Sequence, residues 1–500
     1  MFLNYLIIGL YTTTVIILTI YFICGFLQGI STLKTFKTTC RKQEQTDLSH
    51  ELPSVTVQLP IYNEFYVVEQ LLEQISKLQY PRHQLEIQVL DDSTDETSEI
   101  IARKVIELKA QGLQIEHIQR NSRIDFKAGN LQNGMKFAKG EFIAIFDADC
   151  LPEPDFLLAT IPHFRKDETL GGIQTCLHPL NYNDSWISRL QTFEHAIHFH
   201  LEQPYRLLHS SFLPCSGTGS VWRTSAIEDV GGWQGDTLAE DLDISIRIYL
   251  NNWKAMYLEY VALPYQIASN INSYKTQRYR WVKGTAEVLR KHFCRIYNSQ
   301  ISVNKKIELF SLVLECGIYI LILLNGFASL LLYLVKQSLN NTYFGFIYVL
   351  YATCLAVNFL QYYTVINNKK IYVNSDRIMP TLYHLIIYTL EAWITIGLAW
   401  QNTIAITQGL IGIKTSFVRT PKFNHSNFNT ERSLQEKQYL NYQINWLVVG
   451  EGMIGLLFAF VTFLDIYNLS SLWLIHIICS LVFIRIFYCS VKDGILQNSV

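Results

Sequence analysis

Phe142-Ile143-Ala144-Ile145-Phe146-Asp147-Ala148-Asp149 is the stretch from which the rest of the chain can be read. Five apolar residues in a row, four of them β-branched or aromatic, describe a strand buried on both faces. Two aspartates one residue apart follow at its carboxyl end. Similar runs precede it at Val55-Thr56-Val57-Gln58-Leu59 and Ile87-Gln88-Val89-Leu90, alternating with helical patterns near 64–79, 95–110 and 128–138. This alternation predicts an α/β fold, a mostly parallel sheet with helices on both faces. Ligands of such sheets bind beyond the carboxyl ends of the strands. Asp147 and Asp149, Asp91 and Asp92, and Pro60-Ile61-Tyr62-Asn63-Glu64 all fall there.

Around this soluble-type region the composition is that of a membrane protein. The 500 residues are 49% hydrophobic and only 17% charged, too apolar for an ordinary soluble chain of this length. A net charge of −1 gives no drive toward nucleic acid. Ten scattered cysteines without a Cys-x-x-Cys pair argue against a zinc site or a disulfide framework, and they suit a reducing compartment.

Residues 1–33 lack any charge, and Lys34, Lys37, Arg41 and Lys42 come immediately after. That run exceeds the roughly 20 residues needed to cross a bilayer, and the cationic cluster puts the chain beyond residue 34 in the cytosol. Further spans are expected over 311–335, 343–367, 443–464 and 467–488. The loops 369–377 and 414–440 are rich in lysine and arginine and read as cytosolic. Residues 378–413 therefore cannot cross an odd number of times, and they read as an interfacial or re-entrant segment. The expected organisation is an anchor over 1–33, a cytosolic catalytic domain over 50–265, and interfacial helices over 266–300. Two spans over 308–368, the segment and loop over 378–440, and two spans over 443–490 complete it.

Five groups of residues carry chemistry. Asp147 and Asp149 offer the oxygen ligands that Mg²⁺ or Mn²⁺ takes together with substrate phosphate; a bare Asp-x-Asp is otherwise a common solvated turn. Tyr62, Glu64 and Asp92 suit a nucleobase or ribose, while Asn63, Ser93, Thr94 and Asp95 suit helix capping equally well. Lys127, opening a helix in Lys127-Ala128-Gly129-Asn130, is placed to meet an anion. Ala239-Glu240-Asp241-Leu242-Asp243 starts a helix with acids, which the helix dipole favours in any case and which general-base chemistry also requires. Gln277-Arg278-Tyr279-Arg280-Trp281 puts an amide and a guanidinium on one helix face beside a flat ring. Arginine and tryptophan also favour membrane surfaces.

Taken in order, these motifs resemble those of membrane-embedded processive family 2 glycosyltransferases of the cellulose synthase-like group, nearest to glucomannan 4-β-mannosyltransferases and their bacterial relatives. The resemblance spans about residues 50–425 and includes Gly231-Gly232-Trp233 and Phe417-Val418-Arg419-Thr420-Pro421-Lys422-Phe423. It implies a glycosyltransferase-A type domain inserted between transmembrane and interfacial helices of an integral membrane protein, in a plasma or inner membrane. It implies Asp241 as catalytic base, with Tyr62, Glu64, Asp92, Lys127, Asp147, Gln277 and Arg280 on the nucleotide sugar and Asp147 and Asp149 on Mg²⁺ or Mn²⁺. Glu240, Trp281, Gly217 and Thr218 would hold the acceptor. Phe417, Arg419, Thr420 and Lys422 would belong to a gating loop.

The implied reaction is inverting transfer from UDP-glucose or GDP-mannose to a growing β-linked glycan, with translocation across the membrane. A lipid acceptor, as in glycolipid synthases, is the alternative; a non-catalytic nucleotide-sugar sensor is a third reading, against which the intact carboxylates stand. Three positions depart from the pattern: Ala239 where threonine is common, Gln266 where glutamate is common, and Cys176-Leu177-His178 in place of a basic and aromatic segment. The last two touch the acceptor side.

Overall fold

The computed structural model describes residues 2–39, 52–209, 212–335, 341–367, 393–415, 418–419, 422, 445–468 and 470–498. Strand β1 (Val55–Ile61) pairs in parallel with β2 (Leu85–Asp91) and β4 (Phe142–Ile145), and β2 with β3 (Gln114–Gln119). Beyond β4 the sheet continues through β6 (Ser220–Arg223), β5 (Leu170–Pro179) and β7 (Lys254–Tyr265), in the order β3-β2-β1-β4-β6-β5-β7. Only β6 runs against its neighbours. The expected mostly parallel sheet is therefore present, with one reversed strand that short apolar runs alone do not disclose.

Both faces are covered. On one, α2 (Val68–Ile75), α3 (Thr97–Ala110) and α5 (Phe156–Lys166) bury Leu71, Ile101 and Phe164 against β1, β2 and β4. On the other, α4 (Phe126–Met135), α8 (Thr224–Asp229) and α9 (Glu240–Leu250) bury Leu131, Ile227 and Ile244 against Ile143, Ile145 and Trp222. Strands β1 and β4 are almost wholly buried, as their continuous apolar runs require.

The capping expectations resolve unevenly. Asp95 Oδ1 accepts from the Thr97 N–H at 3.0 Å at the start of α3. Asn63, at φ +54°, instead accepts from Thr94 N at 2.8 Å and ties the loop after β1 to the loop after β2. The last strand, β7, runs for 12 residues and ends beside the loop that carries Gln266. Residues 266–300, expected as several interfacial helices, hold one 28-residue helix, α10 (Ile271–Asn298), capped by Asn270 through the Ser273 N–H.

Among the described residues four helices are long and apolar enough to cross a membrane: Phe2–Leu27, Cys316–Tyr333, Trp446–Tyr467 and Trp473–Gly494. The first lies in α1 (Phe2–Thr39) and the second in α11 (Val303–Val335). Helix α12 (Asn341–Asn367) covers the remaining expected span, with a shorter apolar stretch over Tyr343–Val357. Tyr11 and Val15 of α1 pack with Ala328, Leu332 and Ile347, so the N-terminal helix joins the later ones in one bundle. Of the expected interfacial segment, the Ala399–Ile411 helix lies along α10, and Gln401 Nε2 donates to Lys275 O at 2.8 Å. Residues 378–392 lie outside the described part.

Candidate active site

The carboxyl ends of β1, β2 and β4 open on one cavity of about 1400 Å³. Its lining includes Tyr62, Glu64, Asp92, Lys127, Asp147, Asp149, Gly217, Thr218, Glu240, Asp241, Gln277, Arg280, Trp281, Arg419 and Lys422. Side chains drawn from positions 62 to 422 thus meet in one place. Phe417 and Thr420, expected beside them, lie outside the described residues.

The two aspartates after β4 are held differently. Asp147 Oδ1 lies 2.6 Å from Lys127 Nζ, and its backbone N–H donates to Thr218 Oγ1 at 3.0 Å. Asp149 Oδ2 accepts from Lys422 Nζ at 2.7 Å and from the Gln266 N–H at 3.2 Å. Burial raises the pKa of Asp147, with Lys127 opposing and Asp149 adding to the rise. Crowded carboxylates of this kind gain from an added cation. No group of three or more His, Cys, Asp or Glu side chains able to hold a metal occurs among the described residues. Two carboxylates fit Mg²⁺ or Mn²⁺ only if substrate phosphate and water complete the shell.

Lys127 links this pair to the acidic helix. Its ammonium donates to Gly217 O at 2.8 Å and lies 3.6 Å from Glu240. Burial works to lower its pKa, but the charges of Asp147 and Glu240 outweigh that and raise it. Asp241 stands in the first turn of α9, its carboxyl pushed up to about 7 by burial and by Glu240, with Lys127 opposing. Gly217 adopts φ +74°, and a Cβ there would sit 3.0 Å from Asp241 Oδ2 and 3.4 Å from Lys127 Nζ. Only glycine lets the backbone approach the carboxylate this closely. Asp243, two residues on, is directed elsewhere: it is fully buried and binds Arg247 at 2.7 Å and His292 at 2.7 Å.

Beyond the carboxyl end of β2, Asp92 is engaged by Arg120, whose Nε and Nη2 each donate at 2.6 Å. The Arg123 guanidinium lies 3.3 Å from the Tyr62 ring centroid. Arg419 grips Glu64 through two bonds of 2.8 and 2.7 Å. Helix α10 supplies the rest. Gln277 accepts from Gln191 Nε2 at 2.6 Å, and Arg280 sits in the field of Glu240, Asp147, Asp241 and Asp149. Arg278, from the same motif, pairs instead with Glu194, which also accepts from Tyr274 at 2.6 Å.

Sequence reasoning missed Arg120, Arg123, Glu194 and His195. For the two arginines, Arg120-Asn121-Ser122-Arg123 just ahead of Lys127 was an available signal. For His195, it was the crowding of His195, His198 and His200 into six residues.

Residues 53–284 match the family described as Glycosyltransferase like family 2. The "Probable glucomannan 4-beta-mannosyltransferase 7" of Oryza sativa subsp. japonica is 37% identical over 249 residues, covering 48% of this chain and 42% of that protein. The chain thus matches less than half the length of that curated relative. Among solved structures, the mannosyltransferase PcManGT from Pyrobaculum calidifontis, in complex with GDP-Man and Mn²⁺, superposes with a TM-score of 0.53. It covers 77% of this chain and 99% of its own, at 20% identity, and so shares the fold. Flanked by helices long and apolar enough to cross a membrane, residues 53–284 are thus similar to the family 2 glycosyltransferases in sequence and share the fold of a solved mannosyltransferase.

Proposed function

We propose that the chain is an inverting hexosyltransferase that moves a sugar from UDP-glucose or GDP-mannose onto a growing β-linked glycan and passes the product across the membrane. One observation carries this reading: the cavity holding Asp147, Asp149, Asp241 and Arg280 continues past Trp281 to Asn325, Tyr351 and Phe483 of the apolar helices. A donor site and a path into the bundle are one space.

In this reading Tyr62, Glu64 and Asp92 hold the nucleoside, and Gln277, Arg280 and Lys127 face the diphosphate. Asp147 and Asp149 would hold Mg²⁺ or Mn²⁺, which offsets the charge that grows on the leaving diphosphate. Asp241, with Glu240 and Gly217 beside it, takes the proton from an acceptor hydroxyl resting against Trp281, with Thr218 behind. That oxygen attacks the anomeric carbon as its bond to the diphosphate breaks, and the diphosphate leaves with the bonding electrons. Configuration inverts because attack and departure occupy opposite faces. Arg419 and Lys422 bring the late cytosolic loop onto the donor side.

The cluster Lys34, Lys37, Arg41 and Lys42 after the first apolar run supports a cytosolic catalytic domain. Supplying membranes with labelled UDP-glucose or GDP-mannose should yield insoluble β-linked polymer, lost on chelation and restored by Mg²⁺ or Mn²⁺. Label recovered only as an organic-extractable monoglycosylated lipid would rule out polymer synthesis.

A further inference from the structure

Helix α6 (Trp186–Ile197) runs into a π-helical turn, His198–Glu202, and then into α7 (Gln203–Leu208). Part of α6 serves the α10 motif: Gln191 donates to Gln277, and Glu194 pairs with Arg278. His195, His198 and Glu202 instead line the cavity, and the transfer step itself uses none of them. Single π turns inside helices recur at functional sites.

The protonation states of this wall come from its contacts. The His195 ring nitrogens lie 2.6 and 2.9 Å from Tyr265 Oη, and burial holds its pKa well below the usual histidine range, so the ring is neutral. Its plane meets Trp281 edge to face, with centroids 6.4 Å apart. Gln203 Nε2 donates to Pro214 O at 2.9 Å and lies 3.2 Å from His198 Nε2, which must therefore accept. His198 Nδ1 then carries the hydrogen and donates to Glu202 Oε2 at 2.8 Å. Burial works to raise the pKa of Glu202, but the His198 bond together with the charges of Arg206 and Arg278 lowers it, so the group is a carboxylate. The His198 and Glu202 side chains remain 32% and 35% exposed. Both His198 nitrogens are thus engaged, and they fix in place a carboxylate that has further lone pairs to accept with, in a cavity that also holds a flat indole.

We infer that His195, His198 and Glu202 form a wall of the acceptor subsite, in which Glu202, held in place by His198, accepts from hydroxyls of a carbohydrate whose apolar ring face rests on Trp281. A sugar ring presents one apolar face and a rim of hydroxyls, which this combination matches. Hydrocarbon placed here would strip water from Glu202 and His198 without replacing their hydrogen bonds. The wall therefore selects a glycan acceptor over a lipid one. It deepens the transferase reading and rests on it.

The test uses the full chain in detergent or nanodiscs with a soluble β-linked manno- or gluco-oligosaccharide as acceptor. Glu202→Gln and His198→Gln should each raise the acceptor KM about tenfold or more. Both should leave nucleotide binding and the slow hydrolysis of donor by water unchanged, which also shows that the variants fold. An acceptor KM unchanged in both variants overturns the inference. So does transfer confined to a lipid acceptor and indifferent to Glu202→Gln, with the transferase reading left standing. A wild-type chain that consumes no nucleotide sugar overturns both.

Discussion

The chemistry narrows to Asp241. A carboxyl held near the ordinary aspartate range would stay ionised down to about pH 4. Burial and Glu240 push this one up to about 7, so its basic form is lost as pH falls through neutrality. The acid limb of kcat/KM should accordingly lie near pH 7; a rate unchanged between about pH 5 and 8 would remove Asp241 from the proton-accepting role. Asp241→Asn should lower transfer by about 10² to 10⁴ while nucleotide binding, followed by titration, persists. Gly217→Ala puts a methyl group 3.0 Å from the same carboxylate at positive φ, and it should reduce turnover more than thermal stability.

Helix α9 shows how one acidic run divides its work. Glu240 and Asp241 face the cavity, while Asp243 turns inward to Arg247, His292 and Lys291. Burial works to raise the pKa of Asp243, but these partners lower it to about 2. Its stabilising contribution is therefore present above the usual carboxylate range and fades only as pH falls toward that value. Asp243→Ala strands the buried Arg247 charge, and unfolding in denaturant should show a loss of about 3–5 kcal/mol. The order of acids in Glu240-Asp241-Leu242-Asp243 was legible, and helical geometry explains part of its split: Asp243 follows Asp241 by two positions, about 200° around the axis, and so lies on the opposite side of the helix from it. Which acid faced the cavity depended on where Lys291 and His292 of α10 came to lie.

At the scale of the whole molecule, α10 joins the catalytic domain to the bundle. Lys275, two residues before Gln277, is buried against Glu451 of the Trp446–Tyr467 helix at 2.7 Å and against Ser490 at 3.0 Å. Removing one charge leaves the other without a partner in a dry site, so Lys275→Met or Glu451→Met should each lower the midpoint of thermal unfolding in detergent and weaken transfer. The double substitution should recover most of the lost stability, because two apolar groups need no partner. Single variants that unfold like the parent would show that the pair does not tie the two parts together.

The sequence by itself determined the α/β class, the placement of acids at strand ends, and the flanking apolar helices. Those features rest on local periodicity and on runs long enough to match a bilayer. It also carried the ordered motif set, because each motif is contiguous. The reversed strand β6, the Arg120–Asp92 grip, the Lys127 bridge and the histidine wall were decided only by the tertiary structure. Each joins residues far apart in the chain or turns on which helix face a packed neighbour covers, and neither is written in local spacing.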